Sequence, residues 1–490
     1  MRSLLIYIVF LFFHSAIYGQ QKYWIYFNDL EQSISENSEL NDETVCLNHH
    51  LDLLHTEGVE PVVKSYWLNA ISTILSEHEV KRVKGLSYVK DITPVNRNLK
   101  IMSGANSEPP TFSRVLDQIQ ADTLIHLRLN GEGLKIGIID GGFLEADKKQ
   151  ALNGIIENDR VVAYKNYIEK DITNPYNGSR TNQDDHGTKV WQAIGGVDEN
   201  KRYRGMATQS SYYLARTDQG DREYRGEEDY WVEALEWMYA QGVRLVNSSV
   251  GYSIGYDDPG ENYSIDQVDG ESSAITKAAT IAAEEKGMLI VISAGNDGDN
   301  YFKVISIPAD AKGILSVGAT TYNSWSKAGY SAIGPEHLPQ VKPEVACYSS
   351  SGTSFSAPVI TGLAACVWQA YPELTNQEVI DYIQKSAHLS HAPNNYLGYG
   401  VPDTKRLFKL LDGQANSLKF KQKEVDGSVA SLRLAEERNI VAFHKKDEHI
   451  VIKQEVLRKK RNEILVYRYE NAERTTVATP NEVVEIFWKD

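Results

Sequence analysis

Residues 352–358 read Gly352-Thr353-Ser354-Phe355-Ser356-Ala357-Pro358. A serine stands just ahead of a helical pattern over 356–371. Pro358 falls in the first turn of that helix, where a missing N–H costs nothing. Gly352 frees the backbone to turn, and the N–H of Ser354 is expected to point where an oxyanion would develop. Ser356 stands where a Gly-x-Ser-x-Gly elbow would end in glycine, which weighs against a lipase or esterase. Working outward, three further stretches precede this one: Ile138-Ile139-Asp140-Gly141-Gly142, Asp185-His186-Gly187-Thr188 and Ser293-Ala294-Gly295-Asn296. Singly they are ordinary: an Asp at a strand end, a His at a helix start, an Asn in a turn. Asp184 and Asp185 read as helix-capping or solvated residues. Together, and in this order, they supply a nucleophile, a base, a group to orient the base and a donor for the oxyanion.

The order Asp…His…Ser is the subtilisin order; chymotrypsin and the α/β-hydrolases reach the same geometry in other orders. At these residues the chain resembles the subtilisin-like serine proteases, or subtilases, over roughly residues 112–411. That resemblance implies a catalytic triad of Asp140, His186 and Ser354, with Asn296 as side-chain oxyanion donor. It implies that Ser249, Val250 and Gly251 pair with an extended substrate backbone and, with Ala294 and Gly295, line the main specificity pocket. The variant Asp-Gly-Gly-Phe at 140–143 and residues 230–252 resemble subtilases of Bacteroidetes bacteria most. One departure stands out: the family's second His after His-Gly-Thr is Lys189 here. The triad does not include it, so the local packing is what changes.

The surrounding pattern predicts an α/β fold with a parallel sheet covered by helices on both faces. Apolar strands at 134–139, 212–215, 243–248, 288–293 and 314–318 alternate with helices beginning at 186, 228, 273, 356 and 375. The last helix opens with a capping box, Thr375 and Glu378. Asp140 ends a strand, and catalytic groups of open α/β sheets gather at such carboxyl ends. The start of a helix at His186 disfavours an imidazolium, so a neutral base is expected there near neutral pH. The two glycines after Asp140 leave room for the imidazole.

Before this domain, residues 22–98 read as a small α+β unit: strands at 22–27, 59–65 and 87–95, and helices at 51–57 and 70–83, the latter stopped by Gly85. It resembles the inhibitory propeptide of subtilases; the bland alternative is a permanent N-terminal module. Residues 99–111 are a linker by composition, suited to processing. The protease-like domain spans 112–413. After it, residues 414–490 alternate apolar and polar in five short strands, a small antiparallel β unit. Its basic run, Arg458 to Arg461, reads as a solvated hairpin turn.

The chain has 490 residues and a formal net charge of −15, which argues against nucleic-acid binding. Residues 1–19 read as a secretory signal: Arg2, an apolar run too short to span a bilayer, then small residues. The expected location is therefore secreted, extracellular, periplasmic or at the cell surface. Three cysteines are present; a bridge between Cys347 and Cys366 is conceivable, but the unbridged reading is preferred. No cofactor is required. Calcium is an expectation from the family, with an acidic loop at 256–269 (Asp257, Asp258, Glu261, Asp266, Asp269) as one place for it, though a solvated loop reads better. The expected activity is that of a secreted serine endopeptidase made as a zymogen, with protein or peptide substrates and its own propeptide as partners. The rival readings are a catalytically silent peptide-binding protein and a surface adhesion protein on the same fold.

Overall fold

The computed structural model describes residues 20–28, 42–95, 113–178, 184–219, 226–254, 259–436, 438–460 and 462–489. The signal-like segment, the 99–111 linker, Asp257, Asp258 and Arg461 lie outside the described residues.

The N-terminal unit is a four-stranded antiparallel sheet. Its strands are β1 (Gln20–Phe27), β2 (Val63–Ser65), β3 (Ala70–Ser76) and β4 (Val89–Val95), in the order β2-β3-β1-β4. Two helices, α1 (Asp42–Thr56) and α2 (Glu77–Lys84), belong to the same unit. The helix expected over 70–83 is instead a strand followed by a helix. Residues 70–76 are Ala-Ile-Ser-Thr-Ile-Leu-Ser, where β-branched side chains favour a pleated surface and six of the seven are shielded. Ser76 then opens α2 through a capping box with Glu79, and Gly85 closes it. Alternation splits β1 between two cores. Ile25 and Phe27 pack with Leu47, Leu54 and Val83, while Trp24 faces Val63, Ala70 and Val95.

The central sheet has seven parallel strands: β5 (Lys135–Asp140), β6 (Val161–Asn166), β7 (Ser211–Arg216), β8 (Leu245–Ser248), β9 (Leu289–Ser293), β10 (Leu315–Thr320) and β11 (Val345–Tyr348). Their order is β11-β10-β9-β8-β5-β7-β6. One face packs on α3 (His186–Gly195) and α6 (Ala357–Ala370) through Ile136, Ile138, Trp191, Ile194 and Leu363. The other packs on α4 (Gly226–Ala240) and α5 (Ala274–Glu284) through Ile139, Val246, Trp231 and Ala279. Burial on both faces explains the unbroken apolar runs. The strand order reverses at β5, so the crevice beyond its carboxyl end is the place for a ligand. The edge strands β6 and β11 were not legible in the sequence pattern; β6 is largely half-exposed and β11 is four residues long. Helices α7 (Asn376–Ser386), opened by the expected Thr375 and Glu378 box, and α8 (Thr404–Leu411) also belong to this part.

The N-terminal sheet lies on α4 and α5. The backbone N–H of Tyr66 donates to Glu236 at 3.1 Å, and Ser65 Oγ bonds the same carboxylate. Lys22 pairs with Asp229, a fully buried carboxylate at the start of α4. Trp67 meets Tyr239 edge-on at 5.6 Å.

The C-terminal unit holds β12 (Lys419–Asp426), β13 (Val429–Leu432), β14 (Ile440–Lys445), β15 (Val451–Leu457), β16 (Ile464–Tyr467), β17 (Arg474–Ala478) and β18 (Glu482–Lys489). They form a five-stranded sheet, β12-β18-β17-β14-β15, and a two-stranded sheet, β13-β16, over one core. Pairing is antiparallel except between β12 and β18, which run parallel. The basic run links β15 in one sheet to β16 in the other and ends in a tight antiparallel turn, where Lys460 and Glu463 exchange both backbone hydrogen bonds; Arg458 and Lys460 are exposed. Phe443 and Val451 of this unit pack against Leu389 and Leu397, which fastens it to the central domain. Cys347 and Cys366 are buried and free. Among the described residues no helix is long and apolar enough to cross a membrane.

Candidate active site

Asp140 is the last residue of β5 and His186 the first of α3. Both are buried, and His186 Nδ1 lies 2.7 Å from Asp140 Oδ1. The same carboxylate oxygen accepts the Gly141 N–H at 2.8 Å. A ring bonded at Nδ1 is held in one orientation, with Nε2 as the other ring nitrogen. Gly187 allows the approach: a Cβ there would stand 2.6 Å from the Gly142 carbonyl oxygen and 3.0 Å from Asp140 Cβ. Burial favours the neutral ring, but the Asp140 carboxylate overrides it. His186 therefore holds its proton to a higher pH than an ordinary histidine. This corrects the expectation drawn from the helix start alone: a full carboxylate charge in contact outweighs the partial charge of a helix terminus.

Ser354 lies in a single 3₁₀ turn, Thr353–Phe355, ahead of α6. Gly352 before it has φ 145°, a conformation that side chains disfavour. Ser354 Oγ donates to the Ser249 carbonyl at 3.2 Å, and Ser249 Oγ donates to the Ser354 carbonyl at 3.1 Å. Among the described residues His186 Nε2 is buried without a hydrogen-bond partner. The Phe355 ring lies 5.5 Å from the His186 ring, centroid to centroid. Ser354 and His186 thus stand on neighbouring elements without a hydrogen bond between them.

Asn296 follows β9. Its Oδ1 accepts the Thr353 N–H at 2.9 Å and the Thr353 hydroxyl at 3.1 Å. The carboxamide is planar, so fixing its oxygen to Thr353 fixes its N–H donors on the opposite side. Thr353 Oγ1 also accepts the Gly295 N–H at 3.0 Å. Ala294 and Gly295 are held by the core: the Ala294 N–H donates to Val317, and the Gly295 carbonyl accepts from Ala332. Ser249, Val250 and Gly251 extend directly from β8 and are buried.

Three contributors were missed by sequence reading. Thr353 ties Asn296 to the serine turn. Asn247 bonds Ser249 Oγ at 3.0 Å and accepts from Thr361 on α6 at 2.9 Å, forming a polar strut below Ser354. Arg216, buried at the end of β7, bonds Asp184. Asp184 is therefore neither solvated nor a cap. Asp185 precedes α3 without a side-chain cap and pairs with Lys189 at 3.0 Å. Lys189, where the family pattern has a second histidine, thus faces partly outward. Each missed residue acts through a long-range contact that local spacing does not encode; a threonine inside Gly-Thr-Ser was the only local signal. Among the described residues no group of three or more His, Cys, Asp or Glu is arranged to hold a metal. In the described part of the acidic loop, Asp269 caps its own turn by accepting the Glu271 and Ser272 N–H groups.

Comparison with known proteins fits this geometry. Residues 131–400 match the model of the subtilase family, Peptidase S8. An alkaline protease of Alkalihalobacillus alcalophilus is 25% identical over 399 residues, covering 78% of this chain and 90% of its own. Subtilisin NAT of Bacillus subtilis subsp. natto is 23% identical over 349 residues, covering 69% of this chain and 80% of its own. Among solved structures, an epidermin leader peptide processing serine protease from Staphylococcus aureus superposes with a TM-score of 0.57. It is 16% identical and covers 81% of this chain and 100% of its own, a likeness of fold.

Proposed function

Since the chain belongs to the subtilase family and is a subtilisin-like serine peptidase, we propose that it is an exported endopeptidase, made as a zymogen, in which Ser354, His186 and Asp140 form the triad. Ser354 Oγ rotates from the Ser249 carbonyl towards His186 Nε2 and attacks the peptide carbonyl. His186 takes the proton and returns it to the leaving amine. Asp140 keeps the ring oriented and stabilises the imidazolium. The Ser354 N–H and the Asn296 amide receive the oxyanion, and water releases the acyl-enzyme. Ser249–Gly251 add a strand's worth of main-chain contacts to an extended substrate, with Ala294 and Gly295 beside them. The observation that carries this reading is the 2.7 Å contact between a buried carboxylate and a buried imidazole. It comes together with a serine and an asparagine presented on adjacent turns.

The electrostatics give a direct test. In the Ser354→Ala protein, the His186 ring titrates above the ordinary histidine range, as followed by NMR. Adding Asp140→Asn removes the largest raising charge and leaves burial, so the titration falls. The charges of Lys189, which lowers, and Asp185, which raises, are unchanged in both proteins. A titration insensitive to Asp140 removes Asp140 from the triad.

The zymogen part rests on the docking of residues 20–95 upon α4 and α5 and on the signal-like segment before them. A tethered unit acts at an effective concentration on the order of millimolar, so modest affinity suffices until the linker is cut. Wild-type protein is expected to yield a mature form beginning within about residues 98–111, and Ser354→Ala to stay uncut there. N-terminal sequencing decides: active enzyme that still carries residues 22–98 covalently makes them a permanent domain.

A further inference from the structure

Arg216 is the last residue of β7, directly beside Asp140 in the parallel register. Its side chain is 2% exposed. It does not leave the sheet for solvent but spends each end of its guanidinium on a different loop. Nε donates to the Gly141 carbonyl at 3.0 Å, on the turn that follows Asp140. Nη2 donates to Asp184 at 2.9 Å, on the turn that precedes His186, and that carboxylate is equally buried. Nη1 reaches Glu169, beyond β6, at 2.5 Å. The backbone repeats the tie: the Asp184 carbonyl accepts the Leu144 N–H at 2.8 Å, and the Thr217 N–H donates to the Asp140 carbonyl at 3.2 Å. Gly142, between these partners, has no room for a side chain, since a Cβ would lie 2.6 Å from the Asp184 carbonyl oxygen.

The two loops that carry the acid and the base thus reach each other from different elements, and one planar, permanently charged fork spans them. A lysine has one donor centre in place of three, so it cannot hold both loops in the same geometry. We propose that Arg216 is a positioning residue for the His186–Asp140 pair. It clamps the turn after Asp140 to the turn before His186, with Asp184 as its counter-anchor, and so keeps the imidazole within hydrogen-bond reach of the carboxylate. It touches neither substrate nor the reacting atoms. This proposal rests on the peptidase reading above.

The test uses the full chain as it matures, with Arg216→Met, Arg216→Lys and Asp184→Asn. The first readout is kcat and KM on a peptide substrate, well below each variant's melting temperature. Losing a residue that holds catalytic groups in register is expected to lower kcat by about ten- to a hundredfold with KM little changed. Arg216→Lys should recover part of that loss, and Asp184→Asn should reproduce it in weaker form. The second readout does not depend on turnover: the low-field proton resonance of the His186 Nδ1–H···Asp140 hydrogen bond. It is expected to weaken or vanish in Arg216→Met and to persist in wild type. Variants with a lowered melting temperature but normal kcat and an intact low-field proton would reduce Arg216 to a structural ion pair and overturn the proposal. If Arg216→Met does not fold, Asp184→Asn carries the same two readouts. Wild-type protein without peptidase activity defeats the peptidase reading itself, a failure distinct from an active wild type matched by its Arg216 variants.

Discussion

Ser354→Ala abolishes peptide hydrolysis, lowering kcat by about 10⁶, the size of effect measured on subtilisin, a relative of this chain. The fold has little reason to suffer. The side chain donates to the Ser249 carbonyl at 3.2 Å, and a neutral bond of that kind is worth about 1 kcal/mol. The bond from Ser249 Oγ to the Ser354 backbone carbonyl survives the change, as does the turn set by Gly352 and Thr353. The measurement is turnover of a peptide substrate beside a melting curve. A folded Ser354→Ala protein that turns over substrate near the wild-type rate defeats the assignment. Labelling by a fluorophosphonate gives a second view: wild type is modified at Ser354, and the alanine variant is not.

Asn296→Leu is expected to lower kcat by about 10²- to 10³-fold, about 3–4 kcal/mol of transition-state stabilisation, with KM nearly unchanged. Leucine keeps the volume but removes the donor. It also removes an acceptor: the Thr353 N–H and hydroxyl both lose their partner at Oδ1. Leaving such donors unpaired costs about 1–3 kcal/mol, so this variant is less stable as well as slower. Asn296→Asp keeps an oxygen for Thr353 but sets a carboxylate against the developing oxyanion, so its kcat falls at least as far as that of the leucine variant although the Thr353 bonds are kept. A kcat loss that follows stability instead, large in leucine and absent in aspartate, would trace the effect to Thr353 rather than to the donor. A rise in KM with normal kcat would instead make Asn296 a substrate-binding residue only.

The N-terminal docking surface bears on how activation would proceed. Asp229 is fully buried, and burial raises its carboxyl above the usual range even beside Lys22. Separation of the unit would return that carboxylate to water. A charge held this way does little for the bound state once its desolvation is counted. The apolar contacts of Trp24, Trp67 and Tyr230 are thus the main attraction across this face.

The candidate site residues were legible along the chain because each sits in a local motif with a local cause. Asp140 ends an apolar strand, His186 begins a helix beside a glycine too confined for a side chain, and Ser354 precedes a helix with proline in its first turn. The parallel sheet was legible for a similar reason: strands buried on both faces must be apolar throughout, and that is visible without any neighbour. Residues 70–76 escaped because their apolar spacing suits a helix as well as a strand. Only pairing with β1 and β2, which buries nearly every side chain of the segment, decides between them. Of the C-terminal strands, β12 and β17 were not expected, β14 is buried on both faces rather than alternating, and the division into two sheets and the parallel partner of β18 depend on contacts between residues far apart in the chain. The same holds at the site. Thr353 beneath Asn296, Asn247 beneath Ser249 and Arg216 between the turns of Asp140 and His186 are placed by hydrogen bonds between distant parts of the chain. Hydrogen bonding is decided by distance and direction in space, and a sequence states neither until the strands have found their order.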